Sequence, residues 1–400
     1  MDKILILNGG YSEVPLIQAA RARGFYVLVT GNDEKAIGNV LADEYIPWDY
    51  SDREGIYELA KSQKVSAICS GCNDFGYLSA AYACDRLHLP GHDSYETAQT
   101  FHHKNLYRTF AEKVGIPVPR SVEYGAEADL EKVESLRFPV IVKPVDLSGG
   151  KGMRKCHGME EVREAISHAS AGSRVKQVMI EEFLEGTNHG FTTFIRNQKV
   201  VFSMLDREYH EYAPFAVSAA SAPEPVPEAT VGSLKGQIER MAESLQLCDG
   251  LVHTQFILME KEEPVIIEAC RRSPGDLYLD FVRHATGMDY PGMILSCEAG
   301  GKLDDEMACA QRAGMIGSVR GYWGRHVIAC RREGKLQGIA IDEKLKPYIR
   351  EQVYFFERGR RIGRDEIYKC GVLFLEFQRQ AEMEFMMNHA SEYITFEMEE

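Results

Sequence analysis

Residues 138–153 read FPVIVKPVDLSGGKGM, an apolar strand that leads into a lysine and then into a glycine-rich loop. Three glycines in four positions let backbone N–H groups turn toward one point, because no Cβ stands in the way. Such a concave set of N–H groups binds phosphate oxygens, and Lys143 and Lys151 add positive charge. A flexible hairpin loop is the alternative interpretation. It leaves Lys143 unexplained, since lysine is rarely buried unless it is paired.

A second signal is the pair of strands HTQFILM and PVIIE within residues 253–268. A tight turn at Lys261 and Glu262 places Gln255 directly opposite Glu268, on the same face of the sheet. The two oxygen-bearing side chains then point into the same space, on the face of the sheet that they share. A slip of one residue in the register would break this match.

The second of these strands continues into the charged stretch EACRRSPGD at residues 268–276. Side chains alternate between the two faces of a strand, so Cys270 and Arg272 follow Glu268 on one face and Arg271 lies on the other. A structural ion pair at the strand end is one interpretation of Glu268 and Arg272. The alternative is that the charged side chains at the strand end contact a bound ligand.

The composition limits the class of protein. The chain has 400 residues, of which 44% are hydrophobic and 26% charged, as is ordinary for a globular protein with a substantial core. A formal net charge of -14 argues against sequence-independent nucleic-acid binding, which needs clustered lysine and arginine. No apolar run approaches the ~20 residues of a membrane span, and the N-terminus does not resemble a signal peptide. Ten scattered cysteines predict free thiols in a reducing, cytoplasmic protein without a zinc site.

The order of predicted elements indicates an α/β protein of several parts. Strands and helices alternate over residues 3–90, which predicts a parallel sheet with helices on both faces. The proline-rich stretch at residues 218–230 predicts a lid or binding loop. Residues 300–400 are predicted to form a further mixed α/β segment.

Together these motifs resemble the ATP-grasp superfamily of carboxylate–amine ligases, most of all the amino-acid ligases that make dipeptides, with carbamoyl-phosphate synthases and biotin carboxylases as relatives. The resemblance rests on the two stretches above, on IEEFLEG at residues 180–186 and on HATGMDY at residues 284–290. It implies an α/β and α+β fold with a Rossmann-like (pre-ATP-grasp) domain, an ATP-grasp fold and a small C-terminal α/β domain. The implied divisions are a Rossmann-like domain at 1–92, a linker helix segment at 93–125, an ATP-grasp small subdomain with the glycine-rich lid at 126–186, a large subdomain at 187–300 and a C-terminal domain at 301–400.

The resemblance implies a reaction. ATP phosphorylates a small carboxylic acid, expected to be an amino acid, and an amine attacks the acyl phosphate to give an amide, ADP and phosphate. ATP and Mg²⁺ are the implied cofactors, small-molecule carboxylate and amine substrates the implied partners, and a homodimer the expected assembly. Two alternatives stay open. One is a carboxylating enzyme that uses bicarbonate, and the other is a nucleotide-binding protein with weakened catalysis.

The resemblance also implies roles for individual residues. Arg272 and Lys143 are the implied catalytic residues, with Arg272 steadying the acyl phosphate. Glu268 and Gln255 are the implied metal ligands. The implied nucleotide contacts are Lys104 and Lys143 for the phosphates, Ser148, Gly149, Gly150, Lys151 and Gly152 as a lid over them, Glu181 for the adenine amino group, the backbone of Glu182 and Leu184 for the adenine edge, and His189 for the ribose.

The implied metal site departs from the family pattern. The family usually has glutamate where this chain has Gln255, and asparagine where it has Cys270. Mg²⁺ prefers hard oxygen ligands, so a neutral amide and a soft thiol make a poorer site. Three accounts stay open: one Mg²⁺ held mainly by Glu268, recruitment of another acid such as Asp206 or Asp276, or nucleotide binding without ligation.

Overall fold

The computed structural model describes residues 2–259, 263–301, 303 and 319–399. The strands of that part of the chain are β1 (Lys3–Leu7), β2 (Tyr26–Gly31), β3 (Glu44–Pro47), β4 (Ala67–Cys69), β5 (Ser121–Tyr124), β6 (Val140–Pro144), β7 (Arg154–Cys156), β8 (Val178–Glu182), β9 (Thr187–Arg196), β10 (Lys199–Tyr209), β11 (Ala219–Ala222), β12 (Gly250–Leu258), β13 (Val265–Cys270), β14 (Tyr322–Cys330), β15 (Gly334–Ile341), β16 (Ile349–Tyr354), β17 (Arg361–Ile362), β18 (Tyr368–Phe377) and β19 (Ile394–Glu399). Its α-helices are α1 (Val14–Ala22), α2 (Arg53–Gln63), α3 (Asp74–Leu87), α4 (Tyr95–His102), α5 (Lys104–Lys113), α6 (Leu130–Glu134), α7 (Met159–Gly172), α8 (Glu228–Leu245), α9 (Tyr278–Thr286), α10 (Tyr290–Glu298) and α11 (Gln380–His389).

The N-terminal strands form a parallel sheet in the order β3-β2-β1-β4, which confirms the prediction made from the alternating pattern. Both faces of this sheet are covered. Ile4 and Ile6 pack on one side with Leu16 of α1, whereas Leu5 packs on the other side with Ile56 of α2. Asn73 and α3 follow shortly after β4, at the carboxyl ends of these parallel strands, where ligands commonly bind in such sheets.

The glycine-rich loop leaves the second sheet, which has the order β5-β8-β6-β7 and antiparallel pairing. Val142 pairs with Ile180 across β6 and β8, and both pack in the core that α7 covers. Ile141 and Lys143 therefore lie on the opposite face, together with Glu181, which pairs with Ile141. This alternation brings a lysine and a glutamate to one surface.

The third sheet has eight strands, in the order β13-β12-β9-β10-β11-β14-β18-β16, and it continues past residue 300 into the C-terminal part of the chain. Strand β11 joins β10 to β14. The prediction of a loop or lid at residues 218–230 is wrong over this strand, and α8 already begins at Glu228. Small residues of low strand propensity form β11 because tertiary pairing on both sides overrides their intrinsic preference.

The hairpin of β12 and β13 has the predicted register at Gln255, which lies opposite Glu268, and at His253, which lies opposite Cys270. Nearer the turn the register differs by one residue from the prediction, because Phe256 pairs with Ile266 and leaves Ile267 as an extra residue on β13. The turn predicted at residues 261–262 lies outside the described residues. A smaller sheet, β17-β15-β19, completes the described strands. No helix in the described part of the chain combines the length and the apolar composition that crossing a membrane requires.

Candidate functional site

A cavity of about 1050 Å³ opens between the loops after β1 and β4, the sheet of the glycine-rich loop and the eight-stranded sheet. Most of the residues singled out from the sequence line it. Gly152 and His189 are not among the lining residues. The predicted residues that do line the cavity are Lys104, Lys143, Ser148, Gly149, Gly150, Lys151, Glu181, Glu182, Leu184, Gln255, Glu268 and Arg272.

At one end of the cavity lies a buried cluster of charges. Glu181 is 1% exposed and forms ion pairs with Lys143 and with Arg108, whose Nε lies 2.9 Å from Glu181 Oε1. Burial opposes ionisation of Glu181, but Arg108 and Lys143 outweigh it and hold its pKa below the ordinary value. The carboxylate predicted to face adenine is thus engaged with two cations. Its adenine contact stays a prediction.

Burial lowers the pKa of Lys143 to about 8, and the neighbouring Glu181 opposes that shift. Nearby lies Lys104, which is also buried and whose Nζ donates to the backbone oxygen of Leu147 at 2.6 Å. That oxygen belongs to the glycine-rich loop. One lysine thus comes from α5 and one from β6, and both reach the cavity beside the loop.

The glycine-rich loop depends on backbone conformations that other residues rarely adopt. Gly149 and Gly150 have φ of +64° and +73°. A Cβ on Gly150 would lie 2.7 Å from the backbone oxygen of Phe215. The loop is therefore packed against the segment after β10, and the cavity is enclosed from that side.

The strand end at Glu182 and Leu184 forms another wall of the cavity. The backbone N–H of Glu182 already donates to Arg120 at 2.9 Å, and its side chain accepts from Arg120 at 3.2 Å. The carbonyl oxygen of Glu182 is therefore the backbone group of this residue that is left to accept a hydrogen bond from the edge of an adenine ring. The contacts predicted for these two residues stay predictions.

In the middle of the cavity, the Gln255 amide is held by a carboxylate that the sequence analysis did not single out. Gln255 Nε2 donates to both carboxylate oxygens of Glu208, at 2.8 and 2.7 Å. Burial and the neighbouring Asp206 raise the pKa of Glu208. Because the NH₂ group faces Glu208, the amide oxygen of Gln255 is directed away from it. Glu268, across the hairpin, also lines the cavity.

This donor set bears on the implied magnesium site. Glu268 offers a carboxylate and Gln255 a neutral oxygen, and both are hard donors of the kind that Mg²⁺ accepts. Within the described residues, no three His, Cys, Asp or Glu side chains lie in an arrangement that would hold a metal by themselves. The residues therefore fit a magnesium ion that also takes oxygens from a bound nucleotide.

The two acids considered as substitutes have other partners. Asp206 accepts from the Tyr278 hydroxyl at 2.5 Å. Asp276 accepts from Tyr11 at 2.5 Å and from Lys369 at 2.6 Å. Recruiting either acid to a metal would cost these contacts. Glu208 is the carboxylate that directly touches Gln255.

Arg272 forms a bidentate ion pair with Asp74, with Nε and Nη2 each 2.8 Å from a carboxylate oxygen. Both side chains line the cavity. Burial alone would raise the pKa of Asp74, but Arg272, together with His102 and a hydrogen bond from Ser148, lowers that pKa to about 2. The role of Arg272 toward an acyl phosphate stays a prediction. Cys270, whose pKa burial raises to about 12, remains a neutral thiol.

His189 is the predicted nucleotide contact that the structure turns away from the cavity. Its ring stacks on Phe256 with 5.0 Å between centroids and bonds to the Thr187 hydroxyl at 2.6 Å. Burial lowers its pKa to about 4. Neighbouring side chains of a strand point to opposite faces, so Asn188 lines the cavity instead. The prediction for His189 is thereby corrected.

We expect nucleotide binding to depend on the protonation of Lys143. Its ordinary pKa is about 10.5, and the folded value of about 8 means that the charge is lost as pH rises through 8. Bound phosphate favours the charged form, so ADP affinity should fall by up to about tenfold per pH unit above pH 8. Calorimetric titration with ADP in EDTA from pH 7 to 9.5 measures this dependence.

The control for this titration is Lys143→Arg, since a guanidinium stays protonated throughout that range. Its ADP affinity should change less than twofold where the parent protein changes most. An equal pH dependence in both proteins would show that another group controls binding.

Comparison with known proteins adds a family context. Residues 103–273 match the family model described as "Carbamoyl-phosphate synthase L chain, ATP binding domain". A D-alanine–D-alanine ligase of Acetivibrio thermocellus is 24% identical over 60% of this chain, and the chain spans 61% of that protein's length. Among solved structures, the chain resembles an L-amino acid ligase from Bacillus licheniformis with a TM-score of 0.83 at 19% identity, over 100% of this chain and 99% of the other. It also resembles a phosphoribosylglycinamide synthetase from Anaerococcus prevotii with a TM-score of 0.78 at 21% identity, over 100% of both chains.

Proposed function

This chain is an ATP-grasp protein, and from that premise we propose that it is an ATP-dependent ligase that joins a small carboxylic acid to an amine. The observation that supports this most is the clustering of charge in one cavity. Two buried lysines, Lys104 and Lys143, lie beside a glycine-rich loop, and Glu268 and Arg272 line the same cavity. Cationic groups at one point and a carboxylate beside them suit phosphoryl transfer.

In the proposed reaction, a carboxylate oxygen of the acid attacks the γ-phosphorus of ATP, and the bond to the β-phosphate oxygen breaks to release ADP. Lys104 and Lys143 hold the phosphates, and the backbone N–H groups of the glycine-rich loop orient them. Glu268 and the Gln255 oxygen would hold Mg²⁺, and the bound ion would neutralise phosphate charge. Arg272 offers a planar donor to the acyl phosphate once its pairing with Asp74 loosens.

The division into domains belongs to the same proposal. A Rossmann-like domain at residues 1–92 is supported by its parallel sheet. An ATP-grasp small subdomain at 126–186 is supported by its separate antiparallel sheet, but that sheet also takes in β5, which lies before residue 126. The boundary at residue 300 has weaker support, because the eight-stranded sheet takes strands from both sides of it. A cytoplasmic location and a homodimer stay predictions.

An ATP turnover screen tests the proposed function. With Mg²⁺ and pooled L-amino acids, we expect ADP release above the background rate and a new product whose mass equals two amino acids minus water. Bicarbonate is tested in a parallel reaction. Stimulation by bicarbonate alone would favour a carboxylating enzyme, and ADP binding without turnover under any pool would favour a non-catalytic nucleotide-binding protein.

A further inference from the structure

A run of apolar residues lines the cavity without being buried. Residues 213–217 read APFAV and connect β10 to β11. All five line the cavity, yet Pro214 is exposed and the other four are only half-buried. No charged side chain occurs from Tyr212 to Pro223, in a chain of which 26% is charged. An apolar run that stays unburied in a loop is unusual unless it binds something, so this loop presents hydrocarbon to whatever fills the cavity.

Hydrogen bonds fix this loop at both ends. The Tyr212 hydroxyl donates to the backbone oxygen of Val327 at 2.9 Å, and the N–H of Val327 donates to the oxygen of Ser218 at 2.8 Å. Within the loop, the N–H of Ala216 donates to the oxygen of Ala213 at 3.3 Å. A surface held in this way is already formed before a ligand arrives, and binding to it costs little ordering.

The apolar surface continues onto the C-terminal strands. Val327 and Ala329 lie on the same face of β14 and line the cavity. Ile367, just before β18, also lines the cavity and is 40% exposed. Residues 213–217, Val327, Ala329 and Ile367 are called the apolar wall below. They form one continuous side of the cavity that offers no charge.

The cations that border the apolar wall have carboxylate neighbours. Lys369 pairs with Asp276 at 2.6 Å. Arg325, two residues before Val327 on β14, lies near Asp206, Glu208 and the same Asp276. These carboxylates balance the positive charge at the edge of the wall. An anionic substrate side chain therefore has less to gain there than a hydrocarbon side chain, which removes apolar surface from water.

The apolar wall adjoins the glycine-rich loop. A Cβ on Gly150 would lie 2.7 Å from the backbone oxygen of Phe215, so the two loops are in direct contact. In the proposed function the glycine-rich loop holds the phosphates of ATP. The substrate group nearest to the transferred phosphate belongs to the acid that receives it. The wall is therefore placed to contact the acid rather than the adenine end of the nucleotide.

We propose that the acid substrate carries an apolar side chain, of about the size of leucine, methionine or phenylalanine, that packs against the apolar wall. This inference rests on the proposed ligase function and names the substrate class of its first step. One oxygen of the acid's carboxylate bonds to the γ-phosphorus, the bond from that phosphorus to the β-phosphate oxygen breaks, and ADP leaves with the electron pair. The packed side chain keeps water from the acyl phosphate that results.

The test isolates the acid by replacing the amine with hydroxylamine. Its nitrogen attacks the carbonyl carbon of the acyl phosphate, phosphate leaves with the electron pair of the broken bond, and a hydroxamate forms as the nitrogen gives a proton to solvent. Single L-amino acids are offered with ATP and Mg²⁺. We expect hydroxamates of leucine, methionine and phenylalanine to exceed those of aspartate, glutamate, lysine and serine by at least about tenfold.

The Val217→Asp variant places a charge in the middle of the apolar wall. Hydroxamate formation from the apolar acids should fall by about 30-fold, because the buried hydrocarbon would face a carboxylate. ADP affinity, measured by calorimetry, should stay within about twofold, since the wall contacts the acid and not the nucleotide. Val217→Ile keeps the surface apolar and should keep the parent's preference.

Two further variants complete the set. Val40→Asp is the matched control, because Val40 is 82% exposed and does not line the cavity, and it should behave as the parent protein does. Ile367→Asp changes the wall at its exposed edge, where folding tolerates a charge, and should lower the apolar hydroxamates by about fivefold. It decides the matter if Val217→Asp does not fold.

The outcomes distinguish this inference from the proposed function. Equal hydroxamate yields from apolar and charged acids, or an unchanged preference in both Asp variants of the wall, would overturn the apolar wall as the acid's site while the ligase function stands. Absence of hydroxamate with every acid would overturn the ligase function. In that case a thermal-shift series with ADP, Mg²⁺ and the same amino acids still decides, because no selective stabilisation by the apolar ones contradicts the wall.

Discussion

We expect the replacement of Glu268 with glutamine to lower magnesium-dependent ATP turnover, the proposed activity, by about 100-fold or more, with little loss of folding stability. Glu268 lines the cavity opposite Gln255, which contributes only a neutral oxygen. The Glu268→Gln variant therefore removes the negative charge that this hairpin offers to a cation. ATP turnover measured against Mg²⁺ concentration gives the size of the effect, and calorimetry with ADP and Mg²⁺ gives the loss of metal-dependent affinity.

Glu263→Gln is the matched control, because Glu263 is an exposed carboxylate just before the same strand. Its turnover should stay within twofold of the parent value. If the Glu268→Gln protein keeps the magnesium dependence of the parent protein, Glu268 is not a metal ligand. Glu208 would then be the next carboxylate to test.

The Arg108→Met variant should unfold far more easily than the parent protein, by about 3–5 kcal/mol in the free energy of unfolding. Arg108 is 2% exposed and binds both Glu181 and the backbone oxygen of Ile267, at 2.7 Å. Its loss leaves the buried Glu181 with one cation where it had two, and leaves a carbonyl of β13 without its donor. Urea denaturation followed by circular dichroism measures the change.

The control is Arg120→Met, which removes a mostly exposed cation from Glu182, the next residue along β8. An exposed pair of this kind contributes roughly 0–1 kcal/mol. Equal effects of Arg108→Met and Arg120→Met would refute the buried cluster as a stabilising element.

Much of the fold and of the candidate site was predictable from residue patterns within single segments of the sequence. The alignment of Gln255 with Glu268 was predictable from the two strand patterns and a short turn, because both strands and their connection lie within about twenty residues. The one-residue shift between Gln255 and Phe256 was not predicted, since no residue pattern marks it. The position of Lys143 on β6, next to the glycine-rich loop, was likewise predictable from the sequence. Alternation along one strand decides which side chains share a face. His189 shows the limit of such reasoning. A shift of one position separates it from Asn188, and only the pairing of β9 decides which of them faces the cavity.

By itself, then, the sequence determined the glycine-rich loop, the lysines beside it and the alignment of Gln255 with Glu268. The tertiary structure decided which charges are paired and which are not. Glu208 holds Gln255 from 47 residues away, and Asp74 holds Arg272 from 198 residues away. The physical reason is that strand periodicity is local, whereas ion pairing in a cavity depends on which distant strands and loops pack together, and no spacing within one segment encodes that.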